Sequence, residues 1–387
     1  MSTCNGVFYG NLQILYGKAE YYPDCSPLFV DKKVKNVDLG TYGNEETKVA
    51  TESIEIVRKR LDLMGYTLDS CKKQYQNTQR YGDFMPFDDF LKIICDTNLI
   101  LDDPFTRIVE DLDPINFSYW HRILWEYNRN NHTNHDLDFD DDFFLHLDPL
   151  VKLRLFCEGH SGKNREVYWD IFETIAAGYY TEEEIFHDID PKYKVTLITE
   201  GTSDMRIIER AVSCYFPEYV RFFEFADYKK INERLGVLVG VGSEKALFKV
   251  LARLQVTDRF LFIFDNDVAG IDNYNAIKSE AHQNNLVMTL LPDLDCLKNA
   301  VVVDSEKEFI YDMNKRANTI ECFLDFSQIN EEVTFRRKVN EESPEQDHWE
   351  IMQKGHLNKT IKKIGSKGYN HEKLDLLINH LICCVSK

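Results

Sequence analysis

The sequence predicts an α/β protein, with a mainly parallel sheet in its C-terminal half and a mixed α/β module before it. Three observations predict this. After Pro191, short apolar runs (KVTLIT 194–199, VRFFEF 220–225, RFLFIF 259–264, LVMTLL 286–291) alternate with helical patterns at 203–215, 243–254 and 271–284. Alternation of this kind builds a mainly parallel sheet covered on both faces. The first half instead mixes strand-like and helix-like periodicities without that alternation. Acidic residues, finally, follow two of the apolar runs directly. The boundary falls near 190, giving domains at 1–190 and 191–325 and a helical extension with a basic stretch at 326–387.

In chain order, residues 5–30 read as strands joined by tight turns (GVFYGNLQILYG). Val49, Ile54, Val57, Leu61 and Met64 recur at near-helical spacing, predicting one amphipathic helix over 47–64 that Gly65 ends as a C′ glycine. Thr67 caps a second helix through Tyr75, and Pro86 starts a third from Phe87 to about Thr97. An aromatic segment, 118–127, reads as helix. An Asn- and His-rich stretch and an acidic run, 136–142, follow it. A helix over 166–177 and a capped acidic turn over 181–185 close the first half.

No run of about 18 apolar residues exists, so no membrane span is expected. The start MSTCNGVFYG lacks a basic region followed by an apolar one, so no secretory signal is expected and the protein reads as cytoplasmic. The 10 cysteines lack metal-ligand spacing and read as thiols, which argues against zinc. A net charge of −19 argues against a passive nucleic-acid binder but not against a metal-dependent nuclease, whose bound cations reverse the local field. Between Ile351 and His371 lie Lys354, Lys359, Lys362, Lys363 and Lys367 with no Asp or Glu. Two readings stay open: a solvated helix face, or a surface touching a nucleic-acid backbone.

The chemistry concentrates after Pro191. The strand 194–199 runs into Glu200-Gly201-Thr202-Ser203-Asp204, with Ser203 as N-cap of the next helix and Asp204 in its first turn. RFLFIF ends in Asp265-Asn266-Asp267. In open α/β sheets ligands bind outside the carboxyl ends of the strands. If the two strands are neighbours, four acids converge there. Four carboxylates cannot stay ionised in proximity without cations, and Mg²⁺ or Mn²⁺ are the oxygen-seeking, phosphate-bridging choice. Either cluster alone also reads as helix caps and loop solubilisers.

ITEGTSD followed by FIFDNDVAG resembles the Toprim domain, a Rossmann-like fold, and particularly the variety in OLD-family nucleases. That variety carries a later Glu in a pattern resembling Asn318-Thr319-Ile320-Glu321. The resemblance implies Glu200 as metal ligand or acid/base, Asp204, Asp265, Asp267 and Glu321 as metal ligands, and a downstream lysine near the scissile phosphate, here Lys359. Gly240 and Gly242 resemble the Gly turn after the second Toprim strand, and a tight βα turn equally accounts for them. VRKRLDLMGYTL and LDFDDDFFLHLDPLVKLRLFCEGHSGKNREVYWDIFETIAAGYYTEEE resemble the N-terminal region of bacterial HEPN/Toprim-associated proteins, which implies a place in antiphage defence. The implied activity is Mg²⁺-dependent hydrolysis of nucleic-acid phosphodiesters, with DNA ahead of RNA as substrate. OLD nucleases carry an ATPase that this chain departs from, so an ATPase or sensor would be a separate partner. Homo-oligomerisation stays open.

Gly159-His160-Ser161-Gly162-Lys163-Asn164 has the wrong glycine spacing for a P-loop, and Asn where Ser or Thr should bind Mg²⁺. Arg129 and His135 meet the Arg-x4-6-His spacing of HEPN ribonucleases, but Asn130, Asn131 and Asn134 argue against a helix interior there. Asp136, Asp138 and Asp140 read as the exposed face of an edge strand rather than as an ion-binding loop. Two competing functions follow: a metal-independent RNase using Arg129 and His135, and a non-catalytic adaptor with a metal-stabilised scaffold. Topoisomerase and primase roles fit poorly.

Overall fold

Glu166-Val-Tyr-Trp-Asp170 alternates half-buried and buried positions, the period-2 signature of a strand, and it organises the first half of the chain. The computed structural model describes residues 4–10, 12–18, 23–37, 47–79, 85–97, 118–131, 146–160, 165–225, 244–280, 285–304, 307–338 and 348–386. Two compact units emerge, Met1–Asp190 and Pro191–Lys387.

The first unit holds a five-stranded antiparallel sheet of β1 (Cys4–Tyr9), β2 (Leu12–Lys18), β3 (Val34–Val37), β4 (Thr47–Ser53) and β5 (Glu166–Asp170), in the order β2-β1-β5-β4-β3. Two expectations are corrected here. Residues 166–170 are the central strand, because Val167 and Trp169 fill the core between β1 and β4; only Phe172–Ala176 of the expected helix is helical. Likewise Thr47–Ser53 is a strand, and the helix α1 starts only at Ile54, after Ser53 accepts a capping hydrogen bond from the Ile56 N–H. Gly65, at φ +95°, ends that helix in the left-handed region.

Helices α2 (Leu68–Thr78, capped by Thr67) and α3 (Phe87–Asp96, after Pro86) follow as expected. The helix α4 (Tyr119–Asn131) continues through Asn130 and Asn131, past the point where their low propensity predicts an end. α5 (Pro149–Gly159) is buried nearly all round by α1, α2, α3 and β2, which is why it shows no polar stripe. Its one buried cation, Arg154, is met by Asp62 at 2.7 Å and Glu158 at 2.7 Å. Arg60, fully buried on α1, donates to Glu52 (3.1 Å), Asp31 (2.9 Å) and the Leu28 carbonyl (2.7 Å). A short helix α6 (Phe172–Ala176) and a turn α7 (Glu182–Ile185), boxed by Thr181 and Glu184, complete the unit. His132, His135, 136–142 and 161–164 lie outside the described residues, as does the side chain of Arg129.

In the second unit β6 (Val195–Thr199), β7 (Phe223–Phe225), β8 (Arg259–Phe264) and β10 (Leu286–Leu290) form a wholly parallel sheet, ordered β10-β8-β6-β7. RFLFIF has no polar alternation because both faces are covered. Phe260, Phe262 and Phe264 pack with Leu247, Phe248 and Leu251 of α9 (Glu244–Leu254) and Ile277 of α10 (Val268–Ile277). β6 packs against α8 (Thr202–Tyr215) and β10 against α12 (Glu372–Val385), the two helices touching each other. β7 is shorter than the apolar run predicts, since Pro217 starts a 3-10 turn over Pro217–Phe222. Gly240 and Gly242 lie outside the described residues.

Residues 326–387 are more than a helical extension. β14 (Thr334–Lys338) and β15 (His348–Ile351) join β11 (Ala300–Asp304) and β12 (Lys307–Tyr311) in a mixed sheet, β12-β11-β14-β15. Phe335 and Ile351, paired across β14 and β15, are buried there, so these strands carry core of their own. A short helix, α11 (Leu357–Ile361), packs against α8, and α12 ends the chain.

Asp170 is 2% exposed, and its Oδ1 has no hydrogen-bond partner. Burial, then the charge of Glu173, pushes its carboxyl up to about 7. A carboxyl raised in the fold binds a proton that the unfolded chain has released, so its contribution to stability falls between about pH 4 and about pH 7. Asp170→Asn should therefore gain stability over wild type as pH rises across that window, by about 1.4 kcal/mol per unit at most. Thermal melts of both proteins across the window check this; a pH-independent difference contradicts it.

Candidate metal centre

Thr199 ends β6 in register with Ile263 of β8, so Glu200 and Asp265 leave neighbouring strands at their carboxyl ends. Glu200 is exposed. Asp204, in the first turn of α8, turns back: its Oδ2 accepts from the Gly201 N–H at 3.0 Å and its Oδ1 from the Ser203 hydroxyl at 3.1 Å. The N-cap is thus Gly201, not Ser203 as the sequence predicts, and the acid at the third helical position supplies the satisfying oxygen.

Asp267 caps α10 by accepting from the Gly270 N–H at 2.7 Å through Oδ1. Gly270 is required for this turn, because a Cβ there would stand 2.1 Å from the Asp265 carbonyl oxygen. Asn266 and Asp267 form β9, a two-residue strand that pairs antiparallel with β13 (Ala317–Asn318). The pairing carries the 3-10 turn Ile320–Phe323, and with it Glu321, toward the two aspartates. α8 and α12 pack on that turn.

The electrostatics join all five acids. Burial is the largest cause raising Asp265 well above the usual carboxylate range, followed by the charges of Asp204, Asp267, Glu321 and Glu200. Burial likewise pushes Asp204 up to about 6, with Glu321 and Glu200 adding and the hydrogen bonds from Ser203 and Gly201 opposing. No cationic side chain stands among these causes. Among the described residues no three His, Cys, Asp or Glu side chains form an assembled coordination shell, so the five share a field rather than direct contact. An all-carboxylate set in which Asp204 and Asp265 are raised by burial and by the neighbouring charges fits a hard divalent cation such as Mg²⁺ or Mn²⁺.

Lys359 sits on α11, which packs against α8, the helix that carries Asp204. Its side chain is exposed there. Lys373, which the sequence reading missed, is the cation nearest to Glu321's turn by its bonds: from α12 it donates to the carbonyls of Cys322 (2.8 Å) and Leu324 (2.7 Å). Burial lowers its pKa from the ordinary lysine range. Also missed is an amide lattice behind the acids. Asn266 donates to Asp293 (2.7 Å), Asn318 to the Pro292 carbonyl (3.0 Å), and Asn314 bonds both backbone groups of Leu294. The available signal was an Asn between two acids at a strand end and an Asn opening the NTIE run.

Residues 1–194 match the family described as HEPN/Toprim N-terminal domain 1. No curated protein and no solved structure matches the chain.

Gly270→Ala should cost about 2 kcal/mol, because the backbone at Asp265 must move to admit a Cβ. It should also weaken Mn²⁺ binding. Gly355→Ala, with open space around it, should leave both unchanged. Melting curves and Mn²⁺ titrations of the pair check this; an unperturbed Gly270→Ala contradicts the packing described.

Proposed function

This chain belongs to the HEPN/Toprim N-terminal domain 1 family, a nuclease-related family, and on that premise we propose that it is a divalent-metal-dependent nuclease acting on nucleic-acid phosphodiesters. The observation that carries the reading is the raised pKa of Asp265 and Asp204, beyond the carboxyl ends of β8 and β6, under burial and the charges of Glu321, Asp267 and Glu200. DNA is the preferred substrate in this reading, and the biological role is that of an effector in bacterial antiphage defence. A separate ATPase or sensor protein is its expected partner. Among the described residues no helix is long and apolar enough to cross a membrane.

Asp204, Asp265, Asp267 and Glu321 are the residues that would hold Mg²⁺ or Mn²⁺. Bound there, the cation supplies Lewis-acid stabilisation of charge developing on the phosphate. Glu200, the exposed member, takes a proton from the attacking water as general base, or joins the ligands. Asp204 and Asp267 each spend one oxygen on a backbone N–H, Gly201 and Gly270 respectively, which fixes their carboxylates for the task. The turn carrying Glu321 is held by Lys373.

Plasmid, linear DNA and tRNA incubated with the protein in Mg²⁺, Mn²⁺ or EDTA test the reading. Cleavage should require the metal and fall at least about 100-fold in Asp267→Ala, comparable to removing one preorganised charge stabiliser. Undiminished cutting in EDTA, or by Asp267→Ala, contradicts it.

A further inference from the structure

In a chain of net charge −19, the stretch 351–371 gathers five lysines and no acid. All five, Lys354, Lys359, Lys362, Lys363 and Lys367, are exposed, and none makes an ion pair among the described residues. Exposed lysine side chains with no carboxylate partner among the described residues are available to an external anion.

Their position is fixed relative to the acid cluster. Arg210 of α8 donates to the carbonyls of Ile364 (3.1 Å) and Lys362 (3.2 Å), stitching the turn after α11 to α8. Asp204 lies on the same helix six residues earlier, about 9 Å along the axis at 1.5 Å per residue. Arg206, exposed and four residues before Arg210, shares its face and adds positive charge between the two.

Nothing in the stretch offers a stacking platform. Its one aromatic ring outside histidine, Tyr369, is buried, and its hydroxyl oxygen accepts from the Asp325 N–H at 3.0 Å. His356 pairs with Glu331, and His371 stacks on Tyr215. Base stacking on exposed rings is what holds single strands, whereas unpaired ammonium groups read phosphates without regard to sequence.

We propose that Lys354, Lys359, Lys362, Lys363 and Lys367 form a phosphate-tracking surface that delivers duplex nucleic acid to the acid cluster at the head of α8. The assignment rests on the nuclease reading for its direction but has its own test. Full-length protein is titrated with a short fluorescent duplex of arbitrary sequence in Ca²⁺, across a series of salt concentrations. The Lys362→Glu/Lys363→Glu/Lys367→Glu triple variant should bind at least about ten-fold more weakly, with the slope of log affinity on log salt shallower by about 2–3. Its Mn²⁺ binding should match wild type. The corresponding Gln triple variant should shift both quantities in the same direction by less. Equal affinity and slope in wild type and triple variant overturn the surface, even where Mg²⁺-dependent cutting persists. Lysine-dependent binding to phosphatidylserine vesicles without duplex binding, or tighter binding to a single strand of equal length, overturns it too. Lysine-dependent duplex binding by a protein that cuts nothing leaves the surface standing and removes the nuclease reading instead.

Discussion

Asp265 ends an interior strand of a parallel sheet with its carboxyl buried and four other carboxylates acting on it. Neither burial nor like charge favours its ionised form, and both work in the same direction. The surrounding structure is what keeps the five acids together against that repulsion. A two-residue ladder, β9 on β13, fixes Glu321's turn to the DND segment. The amides of Asn266, Asn314 and Asn318 lock the loop 291–294 behind it, each with its donors satisfied by an acceptor at 2.7 to 3.4 Å. α12 then closes the turn from the other side through Lys373. Residues 326–387 are therefore part of the apparatus that holds the site.

The first unit solves a different problem with similar means. Arg60 and Arg154 are buried charges, and each is met by carboxylates, with the Leu28 carbonyl added at Arg60, the condition under which a buried cation is tolerated. The Oδ1 of Asp170 has no such partner, and burial pushes its carboxyl up to about 7. The described part of this unit gathers no acid cluster like that of the second.

Much of this was legible in the sequence where a local rule dominated. RFLFIF and KVTLIT read as buried parallel strands because both faces are covered, and Thr67, Pro86 and Thr181 announced helix starts through their own chemistry. The acids following β6 and β8 could share a crevice only if the two strands were neighbours, a condition that the sequence left open and the pairing of β6 with β8 meets. Local periodicity misled where tertiary context decided. EVYWD has only five residues, and its apolar positions suit a helix as well as a strand until β1 and β4 flank it. Val49 fell on the extrapolated helix face although Ser53 is the actual cap. Lys373 and the asparagine lattice were invisible for another reason: their partners are backbone carbonyls and side chains 20 to 51 residues away, which no local spacing encodes.

The central claim is that the acid cluster takes up divalent cations. Calorimetric titration of the full chain with Mn²⁺, well above and well below pH 6, tests it directly. Asp204, pushed up to about 6 by burial, must lose its proton to bind a cation. Saturable uptake is predicted above that pH, weakened uptake below it, and little or none in a folded Asp265→Asn variant. Uptake that is unchanged in Asp265→Asn, or absent from wild type at both pH values, contradicts the account.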